Sequence, residues 1–386
     1  MQCAGMGFTE KLKDGDPSRQ QPVPSAPPHP NGEPYVSTNA QQRLHESTYD
    51  VPKYETRDHK DDYRGSRLDP STIKLIDGGD ADQLFLAGAP YHWRPFMQGL
   101  SQTQNSKDMN IVDKKLQTII QAHKLQRFYE PPKYQAVLQK LSSIHFPGIA
   151  AQWKISKELA YDLASLALYD IVFFCDDSGS MIFEENGKRI DDLKFILSKV
   201  ADIATLFDDD GIAVRFINSN VTGDGICNAA DVEKLLSRVR FSGNTPLGTN
   251  FDRKVIQPLI LEKARSNVPM AKPVLAILIT DGEPVGESRD KIVQVIKEAK
   301  DSLECTPYGS GAFAVQIAQV GRDLKTQRFL ESLDKDPTVG GMVDCTSYYE
   351  MEEEEFARNG VVLTPELWLL KLCVGAIDPD YDVQDE

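Results

Sequence analysis

Asp176, Ser178 and Ser180 occupy alternate positions in Cys175-Asp-Asp-Ser-Gly-Ser180, directly after the apolar run 171–175. A carboxylate and two hydroxyls are hard oxygen donors, suited to Mg²⁺, Mn²⁺ or Ca²⁺. Thr245 lies in the turn Gly243-Asn-Thr-Pro246, and Asp281 follows a second apolar run in Ile279-Thr-Asp-Gly282. Three neutral hydroxyls and only two carboxylates would leave a shared cation strongly electrophilic, favouring a carboxylate supplied by another protein. Taken alone, Asp-Ser-Gly-Ser is an ordinary turn and Thr-Asp-Gly is equally bland. Their chemical meaning comes from order and context, since each follows an element able to deliver it to a common place. Within the first motif Asp176 is the site acid and Asp177 the intervening residue.

The elements that must position these groups begin near residue 168, where strands alternate with helices in the pattern of a mainly parallel sheet. Strands are expected at 171–175, 211–217, 273–280, 312–320 and 342–346. Helices are expected at 190–206, 230–239, 250–264, 290–303, 326–333 and 365–376. An apolar run of five residues ending in a Gly-containing turn reads as a strand buried on both faces. The fold class is therefore α/β, a doubly wound, Rossmann-like sheet. In such a sheet the carboxyl ends of neighbouring central strands meet where the strand order reverses. Residues about a hundred positions apart can thus share one cation.

This set resembles the von Willebrand factor A domain with its metal-ion-dependent adhesion site. The resemblance covers 168–350, about half the chain, and rests on the Asp-x-Ser-x-Ser loop at 176–180, the Thr245 turn and the Thr280-Asp-Gly-Glu283 loop. It implies that Ser178, Ser180 and Thr245 ligate Mg²⁺ or Mn²⁺ directly. Asp176 and Asp281 would bind through water or orient the shell, one of them sometimes directly. It also implies a protein-interaction module rather than an enzyme, with a partner's exposed Asp or Glu completing the coordination. Asn186-Gly-Lys-Arg-Ile-Asp-Asp-Leu193 and Phe207-Asp-Asp-Asp-Gly211 are similar to intracellular fungal members of the family. One departure stands out: family members often insert a short antiparallel edge strand where 218–228 here reads as polar loop. The family's C-terminal helix shifts with metal occupancy; here burial of Leu367, Trp368, Leu370 and Leu372 is reason enough for the last helix to pack.

The remainder divides into a Pro-rich, aperiodic tail at 1–70, expected to be disordered, and a helical accessory segment at 71–167. Helices are expected there at 111–128, 134–144 and 156–168, the first stopped by Glu130-Pro-Pro132. Residues 351–386 form a C-terminal helix and an acidic tail, with ten acidic residues against two basic. A net charge of −15 over 386 residues argues against a nucleic-acid partner. No apolar stretch is long enough to cross a membrane. Six cysteines without paired spacing, and an N-terminus without a secretory pattern, point to an intracellular, cytoplasmic setting.

Rival chemistries meet specific objections. A phosphotransfer Asp-x-Asp fails because the third residue is Ser178. Gly243–Thr249 has P-loop glycine spacing but no lysine, and no G-x-S-x-G elbow is present. The six histidines all precede the α/β region and none has i,i+4 zinc spacing. The stretch 220–231 fits a calcium loop only in part, and 378–382, with its alternate acids, reads as a solvated tail. The alternatives that stay open are a metal-dependent hydrolase and a scaffold that does not use the metal.

Overall fold

The computed structural model describes residues 102–266, 268–358 and 362–382. The expected tail at 1–70 and the first part of the helical segment, 71–101, lie outside the described residues. The fold is α/β, built on a six-stranded sheet in the order β3-β2-β1-β4-β5-β6. The strands are β1 (Asp170–Cys175), β2 (Ile212–Phe216), β3 (Gly223–Ile226), β4 (Val274–Thr280), β5 (Phe313–Gln319) and β6 (Val343–Thr346). All neighbours pair parallel except β3, which runs antiparallel to β2 at the edge. β1 and β4 are the central pair, and the chain leaves them in opposite directions, so their carboxyl ends border the reversal of strand order. Every residue of β4 and all but the first of β1 are buried, as their apolar runs require for a sheet covered on both faces.

β3 is the edge strand that the polar character of 218–228 conceals. Gly-Asp-Gly-Ile has one large apolar residue and no alternation, yet Gly223 packs against Leu235 and Ile226 is buried. Asn228 then caps the helix Ala229–Leu236, accepting from Ala230 N and Asp231 N at 3.0 Å each. Asp224 pairs with Arg215 at 2.8 Å. The oxygens of the partial calcium loop are therefore engaged in capping and pairing.

The helix expected at 111–128 begins at Gln102 and ends at Ala122; Lys124 turns left-handed and a short 3-10 turn follows. The prolines open the next helix, Pro131–Leu141, rather than stop the previous one, because a proline at the first helical positions sacrifices an N–H that has no partner there. A further helix, Phe146–Trp153, has no counterpart among the expected elements. The helical stretch from Leu247 contains a π segment, Asp252–Leu261, around Pro258. Proline lacks the N–H an α-helical turn would use, and the wider turn accommodates it. Tyr129, Phe146, Trp153 and Tyr161 share one continuous core with the strands and with the helix Pro365–Val374. Seven of that last helix's ten residues are buried. Among the described residues, no helix is long and apolar enough to cross a membrane.

The acidic C-terminal stretch is not a solvated tail through Tyr381. Asp378 is 2% exposed and meets Lys115 Nζ at 2.6 Å, and Lys115 also meets the buried Asp162 at 2.8 Å. The Tyr381 hydroxyl donates to Asp162 Oδ2 at 2.7 Å. A lysine between two buried carboxylates attracts both, offsets one unit of their charge, and ties the chain end to the helix Gln102–Ala122. Lys115→Met leaves two buried charges uncompensated and is expected to cost about 3–5 kcal/mol. A lowered urea midpoint would show this, largely recovered on adding Asp162→Asn and Asp378→Asn. A midpoint unchanged in Lys115→Met would contradict the assignment.

Candidate functional site

The register of the central strands sets the site. Cys175 pairs with Ile279, and the ladder continues one step further, with Asp176 N donating to Ile279 O at 2.8 Å. Asp176 therefore leaves β1 beside Thr280 and Asp281 at the end of β4. Asp176 Oδ1 accepts from Ser178 N at 2.9 Å, the bond of an Asx turn, and Oδ2 accepts from the Thr280 hydroxyl at 2.8 Å. The Ser178 and Ser180 hydroxyls lie 3.0 Å apart, and Ser180 Oγ donates to Asp281 Oδ1 at 3.0 Å. Four of the five expected residues are thus joined directly. Thr245, also buried, sits on a turn fastened to the first motif. Gly179 N donates to Gly243 O at 3.1 Å, and Ser242 N donates to Asp177 O at 2.7 Å. Thr249, the other hydroxyl of this stretch, is exposed.

The donor set fits a small divalent cation. Mg²⁺–oxygen bonds of about 2.1 Å at right angles place neighbouring ligand oxygens about 3.0 Å apart, whereas Ca²⁺ bonds near 2.4 Å place them about 3.4 Å apart. The Ser178 and Ser180 hydroxyls lie 3.0 Å apart through a hydrogen bond, a spacing that adjacent Mg²⁺ ligands could keep. Mn²⁺ accepts the same oxygen donors. The N-terminal end of the helix from Leu247 offers no place for a phosphate, because Glu287 already occupies it, accepting from Gly248 N at 2.6 Å and Thr249 N at 2.9 Å.

Several residues complete the site that their sequence context did not single out. Asp177, an intervening residue by motif, accepts from Asn218 N at 2.6 Å and Ser219 N at 2.7 Å, and so fixes the loop after β2. Lys254 Nζ lies 2.7–3.2 Å from four backbone carbonyls of 216–219, stitching the same loop to the π-helical stretch. Arg189, itself buried, donates to Asp281 Oδ2 at 2.7 Å. Only Thr280 had an early signal, as part of the Thr-Asp-Gly loop. Arg189 and Lys254 act across 92 and 35 or more positions of sequence, which no local pattern exposes.

A second acidic group, Asp170, Asp208 and Asp210, has carboxylate oxygens within 4.8 Å of one another. It lies at the opposite, amino end of the sheet, and Lys272 already meets Asp208 at 2.8 Å. Burial pushes Asp208 up to about 6.

No family model matches the chain, and a search of curated proteins returns no match.

Burial, together with the charge of Asp281, pushes the Asp176 carboxyl up to about 7. A carboxyl raised on folding binds its proton more tightly in the folded state. Its contribution to stability is then complete below its unfolded value near 4 and lost as pH rises to about 7. The metal-free protein is expected to lose up to about 4 kcal/mol from this group across that window. Asp176→Asn should flatten that part of the pH–stability curve measured in EDTA. Parallel curves for the two proteins would refute the attribution.

Proposed function

We propose that this chain is a von Willebrand factor A-like module that binds a protein partner through Mg²⁺ or Mn²⁺ held by Ser178, Ser180 and Thr245, with Asp176 and Asp281 orienting the shell. The bound cation would act as a Lewis acid toward a carboxylate of the partner, an exposed Asp or Glu. The observation that supports this reading is the convergence of the Ser178 and Ser180 hydroxyls with the carboxylates of Asp176 and Asp281 where the central strands end. The protein's own share is to hold the hydroxyls at that spacing, through the Asx turn of Asp176 and the Gly179–Gly243 contact.

The surroundings favour docking over turnover. The segments around the site carry exposed apolar side chains: Ile182 and Phe183 on the short helix Ser180–Phe183, Val285 on the loop after β4, and Leu324 at the start of the helix Leu324–Asp334. Phe183 is 82% exposed, and its ring lies next to Gly179. Apolar residues around a charged centre are what a protein surface would cover. Both oxygens of Asp176 and both of Asp281 are taken up in hydrogen bonds within the protein, which suits a role in orienting the site. We place the protein inside the cell; none of the described cysteines is joined in a disulfide, in keeping with a reducing compartment.

Titration calorimetry with Mg²⁺ and with Mn²⁺ tests the site. The wild type should give saturable heat and Asp176→Ala none; absent heat in the wild type, or equal heat in both, would overturn the reading. Capture of a partner on the immobilised chain should be lost in EDTA. Capture indifferent to EDTA would favour a scaffold that ignores the metal. Turnover of phosphatase or esterase substrates abolished by EDTA and by Ser178→Ala would favour a hydrolase.

A further inference from the structure

Arg189 begins the long helix Lys188–Phe207 and is 3% exposed. Its Nη1 donates to Asp281 Oδ2 at 2.7 Å, on the side of the carboxylate away from Ser180. Its Nη2 meets Glu184 Oε2 at 2.8 Å and Glu185 Oε1 at 3.1 Å. The loop after β5 closes over it: a Cβ on Gly321, whose φ is +81°, would come within 2.4 Å of Arg189 Nε. Arg322 N donates to Glu185 Oε1 at 3.0 Å from the same loop. A fixed, always-charged guanidinium therefore stands one carboxylate away from the oxygens that would hold the cation.

We propose that Arg189 sets the charge of the cation site, weakening its hold on the metal and strengthening the loaded site's hold on an acidic ligand. This inference rests on the proposed cation site. A divalent cation with Asp176 and Asp281 alone would form a neutral group. Arg189 adds one positive charge beside Asp281, so an incoming carboxylate meets a less negative site than it would without the guanidinium. Glu184 and Glu185 pair with the other end of the guanidinium and carry two negative charges between them, so they oppose the effect of Arg189; Glu184 is largely exposed and its charge is screened by water. The same positive charge repels the metal. Removing it must therefore move the two affinities in opposite directions. A residue that merely positions Asp281 would weaken both when lost.

The experiment compares the wild type, Arg189→Gln, Arg189→Lys and Glu185→Gln, each checked for folding by circular dichroism. Mn²⁺ is titrated by electron paramagnetic resonance. N-acetyl-aspartate amide is then added to the Mn²⁺-loaded proteins, and loss of coordinated water is read by proton relaxation. Arg189→Gln should bind Mn²⁺ about tenfold or more tightly and the aspartate probe correspondingly weakly. Arg189→Lys should stay near wild type, and Glu185→Gln should shift both affinities the other way. Glu185→Gln supplies the test on its own if Arg189→Gln does not fold. Wild type that binds Mn²⁺ with Arg189→Gln unchanged or weaker, or with Glu185→Gln unchanged or tighter, overturns this inference and leaves the cation site standing. Wild type that binds no Mn²⁺ overturns both.

Discussion

The register between β1 and β4 is the constraint on which everything else depends. Cys175 lies opposite Ile279, so Asp176, the first residue after β1, emerges level with Thr280, the last residue of β4, with Asp281 next along. A slip of one residue would turn the side chains of one strand to the opposite faces of a sheet packed on both sides, and the large residues Phe173 and Phe174 would no longer fit their places. Hydrophobic packing thus places the chemistry. The core that holds Phe173, Phe174, Leu275 and Ile277 out of water also brings Asp176 within 2.8 Å of the Thr280 hydroxyl.

Burying acids at that point creates a second demand. An uncompensated carboxylate in a protein interior is costly, so each must find donors. Asp176 takes a backbone N–H and a hydroxyl, Asp177 two backbone N–H groups, and Asp281 a hydroxyl and a guanidinium. These bonds draw in the loop after β2 and the start of the helix Lys188–Phe207, while backbone bonds fasten the Thr245 turn. The solution is uneven. Neutral donors serve Asp176, whose carboxyl is pushed upward, while a full positive charge serves Asp281. That asymmetry gives the two acids different parts to play beside a cation.

The strands that position the site were legible because an apolar run ending in Asp or Gly has few other readings. The helices 188–207 and 291–304 were legible from their 3.6-residue periodicity. β3 was not, because Gly223-Asp-Gly-Ile226 carries no alternation and is held by pairing with β2 and packing on Leu235. The docked chain end was hidden for another reason. Asp378 looks like a solvated acid until Lys115, more than 260 positions earlier, is placed beside it. Arg189 stood in plain view within Asn186-Gly-Lys-Arg, yet a basic residue at a helix start signals nothing about Asp281. Asp176, Ser178, Ser180 and Asp281 could be proposed as a set because they follow apolar runs, and Thr245 because it sits in a turn before a helix; the donors to the carboxylates come largely from tertiary structure. The helices of 131–168 read as an accessory layer, whereas Phe146 and Tyr161 lie in the same core as the sheet.

The central claim is that oxygens from the ends of β1 and β4 share one divalent cation. Anomalous scattering from a crystal equilibrated with Mn²⁺ tests it most directly. The account predicts a peak within bonding distance of Ser178 Oγ and Ser180 Oγ, on the side of Asp281 away from Arg189. No peak there, or a peak only at Asp170, Asp208 and Asp210 on the opposite end of the sheet, would contradict it.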